Sequence, residues 1–308
     1  MRSLYTMLMA LLLVASSATY AQTVNESNRA SKHSPTEQES LALAAMEGLM
    51  SQSPERALPI IRKVLAGSQT TLVKKRALFV LSQIDSPEAD DILLQTARSA
   101  DKALRSEAIR SIGIGGHDKS LAALQDVYNA GDADLKKQVL HAWMIAGRKA
   151  EVYQAALSAK SDDEAGEAIH MLSVMGAVDE LRKLGDRPNA SGKLVEAYAI
   201  SGDLQSLRKI ADSGADPSVR AEAVRKIGII DSDASRTALR DIYARSNDKE
   251  IKEAALQGML IAGDDQGVLA LYKGATSIEE KRTLLRTLTM MDSDAALKAI
   301  DSALEDKQ

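Results

Sequence analysis

Four histidines, His33, His117, His141 and His170, carry all the imidazole chemistry in the 308 residues, and there is no cysteine. A thiolate nucleophile, a disulfide, a Cys/His zinc site and a lipid-modified cysteine are therefore excluded. The chain also lacks an HExxH sequence, a His-Glu dipeptide and a GxSxG nucleophile turn. The common metallohydrolase and serine-hydrolase arrangements have no foothold. His141 and His170 are 29 residues apart. On neighbouring helices about 8 to 10 Å apart, their rings would face each other as a weak metal-binding pair or a pH-sensing pair. Arg110, Glu196, Arg225, Gln257 and Arg286 continue the same column, a mixture whose preferred reading is a solvated helix face.

A second group is cationic. Leu181-Arg182-Lys183-Leu184 and Leu207-Arg208-Lys209-Ile210 each set two cations in a short helical pattern just after a glycine turn. Arg182, Lys183, Arg208 and Lys209 are the partner-binding candidates, because clustered cations can seat an acidic peptide, a carboxylate or an anionic polymer. Asp179, Glu180, Asp186 and Asp203 lie close enough in sequence to neutralise them, which is the plainer reading of the patch. Gly113-Ile114-Gly115-Gly116 has no strand before it and no Lys-Ser/Thr after it, so it reads as a turn. No residue emerges as catalytic, and no cofactor is expected.

The elements that would position these groups are helical. Aromatic residues are only 3% of the chain, while Ala and Leu abound, which disfavours a sandwich or barrel. Charged residues are 27% and the net charge is −4. With dispersed basic residues and few stacking rings, nucleic acid is excluded as a partner. From about residue 38 a helical pattern, a short Gly or Asp turn and a second helical pattern recur every 26 to 32 residues. Gly past a helix end takes the left-handed conformation without strain, and Asp or Ser caps the next helix. Pro54, Pro87, Pro188 and Pro217 fall at helix starts, where the missing N–H costs nothing, and Pro59 falls inside a helix. Residues 101–131 and 216–246 share fourteen identities in 31 positions, including Gly113/Gly228, Ile114/Ile229, Leu124/Leu239 and Tyr128/Tyr243. Met144-Ile145-Ala146-Gly147 then matches Leu260-Ile261-Ala262-Gly263, at an offset of 115 to 116 residues. Two copies of a multi-repeat block are implied. Nine helix pairs follow, with Leu135, Val139, Leu140, Trp143 and Ala146 assigned to the core of one first helix. Leu121, Leu124, Tyr128, Leu181 and Leu184 are assigned to the core of second helices.

The stretch Asp216-Pro217-Ser218-Val219-Arg220-Ala221-Glu222-Ala223-Val224-Arg225-Lys226-Ile227-Gly228 resembles the HEAT repeat, specifically the short variety named after phycobilisome lyases. Asp101-Lys102-Ala103-Leu104-Arg105 and Asp248-Lys249-Glu250-Ile251-Lys252 are similar openings. The resemblance implies an all-α α-solenoid, a superhelix of about nine stacked HEAT-like pairs. It also implies an Asp–Arg ladder between repeats and a concave surface lined by second helices, where Arg182, Lys183, Arg208 and Lys209 would meet a partner. Tetratricopeptide repeats need a 34-residue period and a Trp/Gly/Tyr/Ala/Pro pattern, which this chain lacks. HEAT arrays serve many roles, so only a functional class is implied. That class is a non-enzymatic protein-protein interaction scaffold or adaptor. A lyase-like or cofactor-handling HEAT protein is one alternative, and a metal or pH sensor built on His141 and His170 is another.

The N-terminus sets the expected compartment. Arg2 is followed by the apolar run Met7 to Ala15 and by the small-residue stretch Ser16-Ser17-Ala18-Thr19-Tyr20-Ala21. This is the plan of a secretory signal peptide spanning 1–21, cleaved after Ala21 with Ala18 as the alternative. The apolar core is too short for a membrane span, which needs roughly 20 residues. Residues 22–37 read as a disordered linker, and 38–308 as the solenoid, with a bend near 186–203. The expected product is periplasmic or secreted, with protein partners and no membrane span after cleavage.

Overall fold

The computed structural model describes residues 34–185 and 193–305. The signal segment, His33, most of the linker, Asp186 and Pro188 lie outside the described residues, as does the 186–192 part of the expected bend. Eighteen α-helices make the chain all-α, with no strand among the described residues. They form nine pairs of a first and a second helix. The pairs are Glu37–Gly48 (α1) with Pro54–Ala66 (α2), Thr71–Leu81 (α3) with Pro87–Ala97 (α4), and Lys102–Gly115 (α5) with Asp118–Ala130 (α6). Next come Ala133–Ile145 (α7) with Lys149–Ser158 (α8), Asp162–Val174 (α9) with Val178–Gly185 (α10), and Lys193–Ser201 (α11) with Leu204–Ala211 (α12). Pro217–Ile227 (α13) with Asp233–Arg245 (α14), Lys249–Ile261 (α15) with Asp265–Gly274 (α16), and Ile278–Met290 (α17) with Asp294–Glu305 (α18) complete the series. This is an α-solenoid, as the repeat period predicts. No helix of the described residues is long and apolar enough to cross a membrane.

Short local rules set these boundaries. Asp101, Asp132, Ser161, Asp216, Asp248 and Ser277 cap first helices by accepting from backbone N–H groups. Four of the turns within pairs close alike: the N–H groups of Arg148, Ala177, Asp203 and Asp264 donate back to the carbonyls of Trp143, Leu172, Tyr198 and Met259. Such a closure needs one left-handed residue. Gly147, Gly176, Gly202 and Gly263 supply it with φ between 61° and 74°, while Asp231 and Asp292 take φ of 43° and 45° in two glycine-free turns.

The chain divides into two compact units, up to Ala89 and from Asp90 onward. In the first, α3 packs on α1 and α2, burying Met46, Leu58, Ile61, Val73, Leu78 and Leu81. In the second, the first helices α5, α7, α9, α11, α13, α15 and α17 lie side by side in order. Trp143 is fully buried. Its ring lies 5.4 Å from that of Tyr128, and its Nε1 donates to the Leu121 carbonyl at 3.1 Å. The assigned core positions Leu121, Leu124, Val139, Leu140, Leu181 and Leu184 are buried. Leu135 and Ala146 are corrected to half-buried, because they sit in the first turn and at the end of α7, where less of the neighbouring helices covers them. Adjacent first helices touch through residues without bulk. A Cβ on Gly113 would stand 2.8 Å from the Ala142 backbone, and one on Gly228 would run into the Gly258 carbonyl.

Candidate functional site

The cationic candidates do not act as one group. Arg182 on α10 is committed to Asp203, with Nε 2.8 Å from Oδ2 and the terminal nitrogen 2.7 Å from Oδ1. Asp203 precedes α12, has a side chain only 1% exposed, and also accepts from the Ser206 hydroxyl at 2.7 Å. Burial opposes its charge, but Arg182 and Ser206 outweigh that and hold the carboxyl below the usual Asp range. Arg182 is therefore a strut between the fifth and sixth pairs. Lys183 and Lys209 are exposed and Arg208 is half-buried.

Similar struts recur between second helices. His117 Nδ1 lies 2.8 Å from Asp90, Arg148 binds Asp118 at 2.7 Å, and Arg240 reaches the buried Asp264 at 3.3 Å. The Asp–Arg ladder implied by the resemblance is not formed at the residues that suggested it. Asp101 and Asp216 spend their oxygens capping their own helices. Arg105 donates instead to the Ser99 carbonyl at 3.5 Å, and Arg220 to the Ala211 carbonyl at 3.1 Å. Each cation thus meets the carbonyl end of the preceding second helix, where the helix dipole favours it.

The duplicated block repeats one polar cluster. Lys136 donates to Glu164 at 2.5 Å, Tyr128 donates to the same oxygen at 3.2 Å, and the ammonium lies 5.3 Å from the Tyr128 ring. Lys252, Glu280 and Tyr243 repeat it with 3.1, 3.1 and 4.7 Å. Burial first, then the Glu charge, pushes both phenols upward. Each cluster joins three successive pairs.

His141 on α7 is half-buried and His170 on α9 is exposed. Burial, then Lys137, lowers the His141 pKa below the usual histidine value; Glu167 pulls it back up, and His170 adds a further lowering. His170 therefore lies near enough on the adjacent helix to act on His141. Lys137 and Glu167 pair beside them at 3.0 Å. Among the described residues no three His, Asp or Glu side chains gather to hold a metal ion.

One turn beyond these histidines lies a feature the sequence reading passed over. Ile114, Ile145, Val174, Ile200, Ile261 and Met290 are 36 to 59% exposed. Each sits in the last turn of its first helix, with half-buried Ile229 just past α13 completing the series. Because first helices pack side by side, one register position becomes a stripe of aliphatic side chains across the second unit. Between α9 and α11 the stripe opens into a groove of ≈ 530 Å³ lined by Glu167, His170, Lys193, Glu196 and Ile200. Gly166 lines it too, and its missing side chain leaves room there.

Comparison with known families decides the architecture's name. Residues 58–144 match the family described as HEAT repeats. That segment of the chain carries HEAT repeats. No curated protein matches it. Among solved structures, the chain is similar to one from the complex of CpcE and CpcF of phycocyanin lyase from Nostoc sp. PCC7120. The identity is 17%, with 69% of this chain and 92% of that chain covered and a TM-score of 0.33. It is also similar to human deoxyhypusine hydroxylase in complex with glycerol, at 13% identity, 82% and 97% coverage and a TM-score of 0.34.

The stripe had a readable signal. Its members recur once per repeat, and the Ile114/Ile229 identity was already visible in the self-comparison. An aliphatic residue in a helical pattern is ordinarily assigned inward, and only side-by-side packing of first helices shows that this position faces water.

Proposed function

We propose that this HEAT-repeat protein is a non-enzymatic scaffold of the bacterial envelope, exported by its N-terminal segment, that binds a protein partner along the face of its first helices. The aliphatic stripe carries the reading. Scattered exposed apolar residues need no explanation, but contiguous exposed apolar surface marks interaction sites. Here one register position is aliphatic in seven successive repeats, six of them exposed. Ion pairs such as Arg182–Asp203 and Lys136–Glu164 join repeat to repeat, a use suited to holding a surface in place. Export is supported by Arg2, the Met7–Ala15 run and the small residues up to Ala21. Chemical crosslinking in intact cells, followed by capture and mass spectrometry, tests the reading. A protein partner recovered from the envelope fraction, with a mature N-terminus at Gln22, is the expected outcome. A chain that stays in the cytoplasm uncleaved and captures nothing would refute it.

A further inference from the structure

We infer that the stripe of the first helices docks an amphipathic helix of the partner, one whose apolar ridge is flanked by carboxylates. The inference rests on the scaffold reading and specifies the partner's chemistry. Ile114, Ile145, Val174 and Ile200 project from four successive first helices, and Ile261 and Met290 from the two that follow α13; neighbouring axes stand about 8 to 10 Å apart. An α-helix rises about 1.5 Å per residue, so every seventh residue returns to nearly the same face after about 10.5 Å. An extended strand repeats a face after only about 6.7 Å. The helix matches the stripe and the strand does not.

Charge beside the stripe selects the flank. One turn nearer the helix starts run Arg110, His141, His170, Glu196, Arg225, Gln257 and Arg286. The single acid in that row, Glu196, is paired with Lys226. The acids one turn further back are paired too: Glu107 with Arg110, Glu167 with Lys137, Glu222 with both Arg225 and Lys226, and Glu253 with Lys249 at 3.9 Å. Arg110 is 51% exposed against 12% for Glu107, so the guanidinium is the outward member of its pair. Arg286 is exposed and has no ion-pair partner among the described residues. The face therefore offers guanidinium and imidazole donors to a docked helix and no unmatched acid in its row. A carboxylate flank finds charge-assisted bonds there, and a lysine flank meets like charge.

The test uses the whole chain and a synthetic helix about four heptads long, with Leu on one ridge repeated every seventh residue and Glu beside it. A second probe carries Lys at each Glu position, and fluorescence anisotropy reads binding. The Glu probe is expected to bind at least about tenfold more tightly than the Lys probe. The double variant Ile145→Asp, Ile261→Asp is expected to weaken it at least about tenfold with an unchanged circular dichroism spectrum. Arg110→Glu with Arg286→Glu is expected to shift the preference toward the Lys probe. Equal binding of both probes, or indifference to the Asp variant, would overturn the proposal. So would a monomer–dimer equilibrium abolished by that variant, which makes a second copy the occupant, or binding to phosphatidylglycerol vesicles in place of the peptide. Cellular crosslinking separates this from the scaffold reading. Equal capture of one partner by wild type and Asp variant sinks the stripe and leaves the scaffold standing. No capture by wild type, with the Glu probe bound as described, sinks the scaffold and leaves the stripe.

Discussion

Lys136 and Lys252 hold equivalent places in the two halves of the duplicated block, but their surroundings differ. The Lys136–Glu164 pair is 17% exposed on both sides, against 33% and 30% for Lys252–Glu280. Lys136→Met removes a charge-assisted bond and strands a half-buried carboxylate, so it should cost about 1 to 3 kcal/mol. Lys252→Met should cost less. Urea midpoints of the two variants check the order. The Lys136 hydrogen bond, opposed by burial, holds the Glu164 pKa below its ordinary 4.5. A carboxylate with a depressed pKa contributes stability above its unfolded value and loses it as pH falls through the folded one. Wild type and Lys136→Met should therefore converge in urea titrations taken progressively below that ordinary value. Arg182→Leu is a different kind of loss, because Asp203 stays 1% exposed with Ser206 still bonded. Breaking a fully buried pair costs about 3 to 5 kcal/mol. With Arg182 itself 42% exposed, solvent screens the pair, and a smaller loss than that is expected by thermal denaturation. Residue types were legible at this scale and partners were not. Arg182 and Lys183 are adjacent in the sequence, and only the placement of Asp203 makes one a strut while the other stays exposed.

Helices and turns were the most legible scale, because their signals are local. Proline at helix starts, Asp and Ser caps, and glycine after helix ends punctuate nearly every pair. Where a signal depends on a neighbouring helix, the sequence falls silent. Gly228 reads as one more helix-ending glycine, yet its φ is −64° and it needs no left-handed conformation. It is there because a Cβ would collide with the Gly258 backbone. Gly116 is the converse, with φ of 71° and no atom near a would-be Cβ. Gly228→Ala should force α13 and α15 apart, at about 1 to 3 kcal/mol. Gly116→Ala should cost only the left-handed strain, about 1 to 2 kcal/mol. Amide exchange distinguishes them, since only Gly228→Ala should speed exchange on the partner helix α15.

At the scale of the molecule, the repeat made the architecture readable, since nine similar units can bury their apolar faces only by stacking. The recurrence of the stripe positions was readable but their outward direction was not, since outward and inward aliphatic positions share the same helical periodicity until side-by-side packing separates them. Contacts in such an array run mainly between neighbours, so unfolding should proceed in more than one step. Trp143 is the sole tryptophan and reports on the fourth pair. Its fluorescence transition in urea should not coincide with the loss of helical circular dichroism. The repeated Tyr–Lys–Glu cluster reaches further. Through Lys136 and Lys252, α7 and α15 meet the same Tyr and Glu partners on their neighbours, which makes them a splice point. Joining Ile145 directly to Ala262 excises residues 146–261, four whole repeats, and brings Glu280 to Lys136 and Tyr128 in place of Glu164. That shortened chain should fold with helical content in proportion to its length. A join displaced by half a repeat should not. The protein would then be a length of interchangeable stock, cut by its own duplication to a size that sets how many stripe positions it presents.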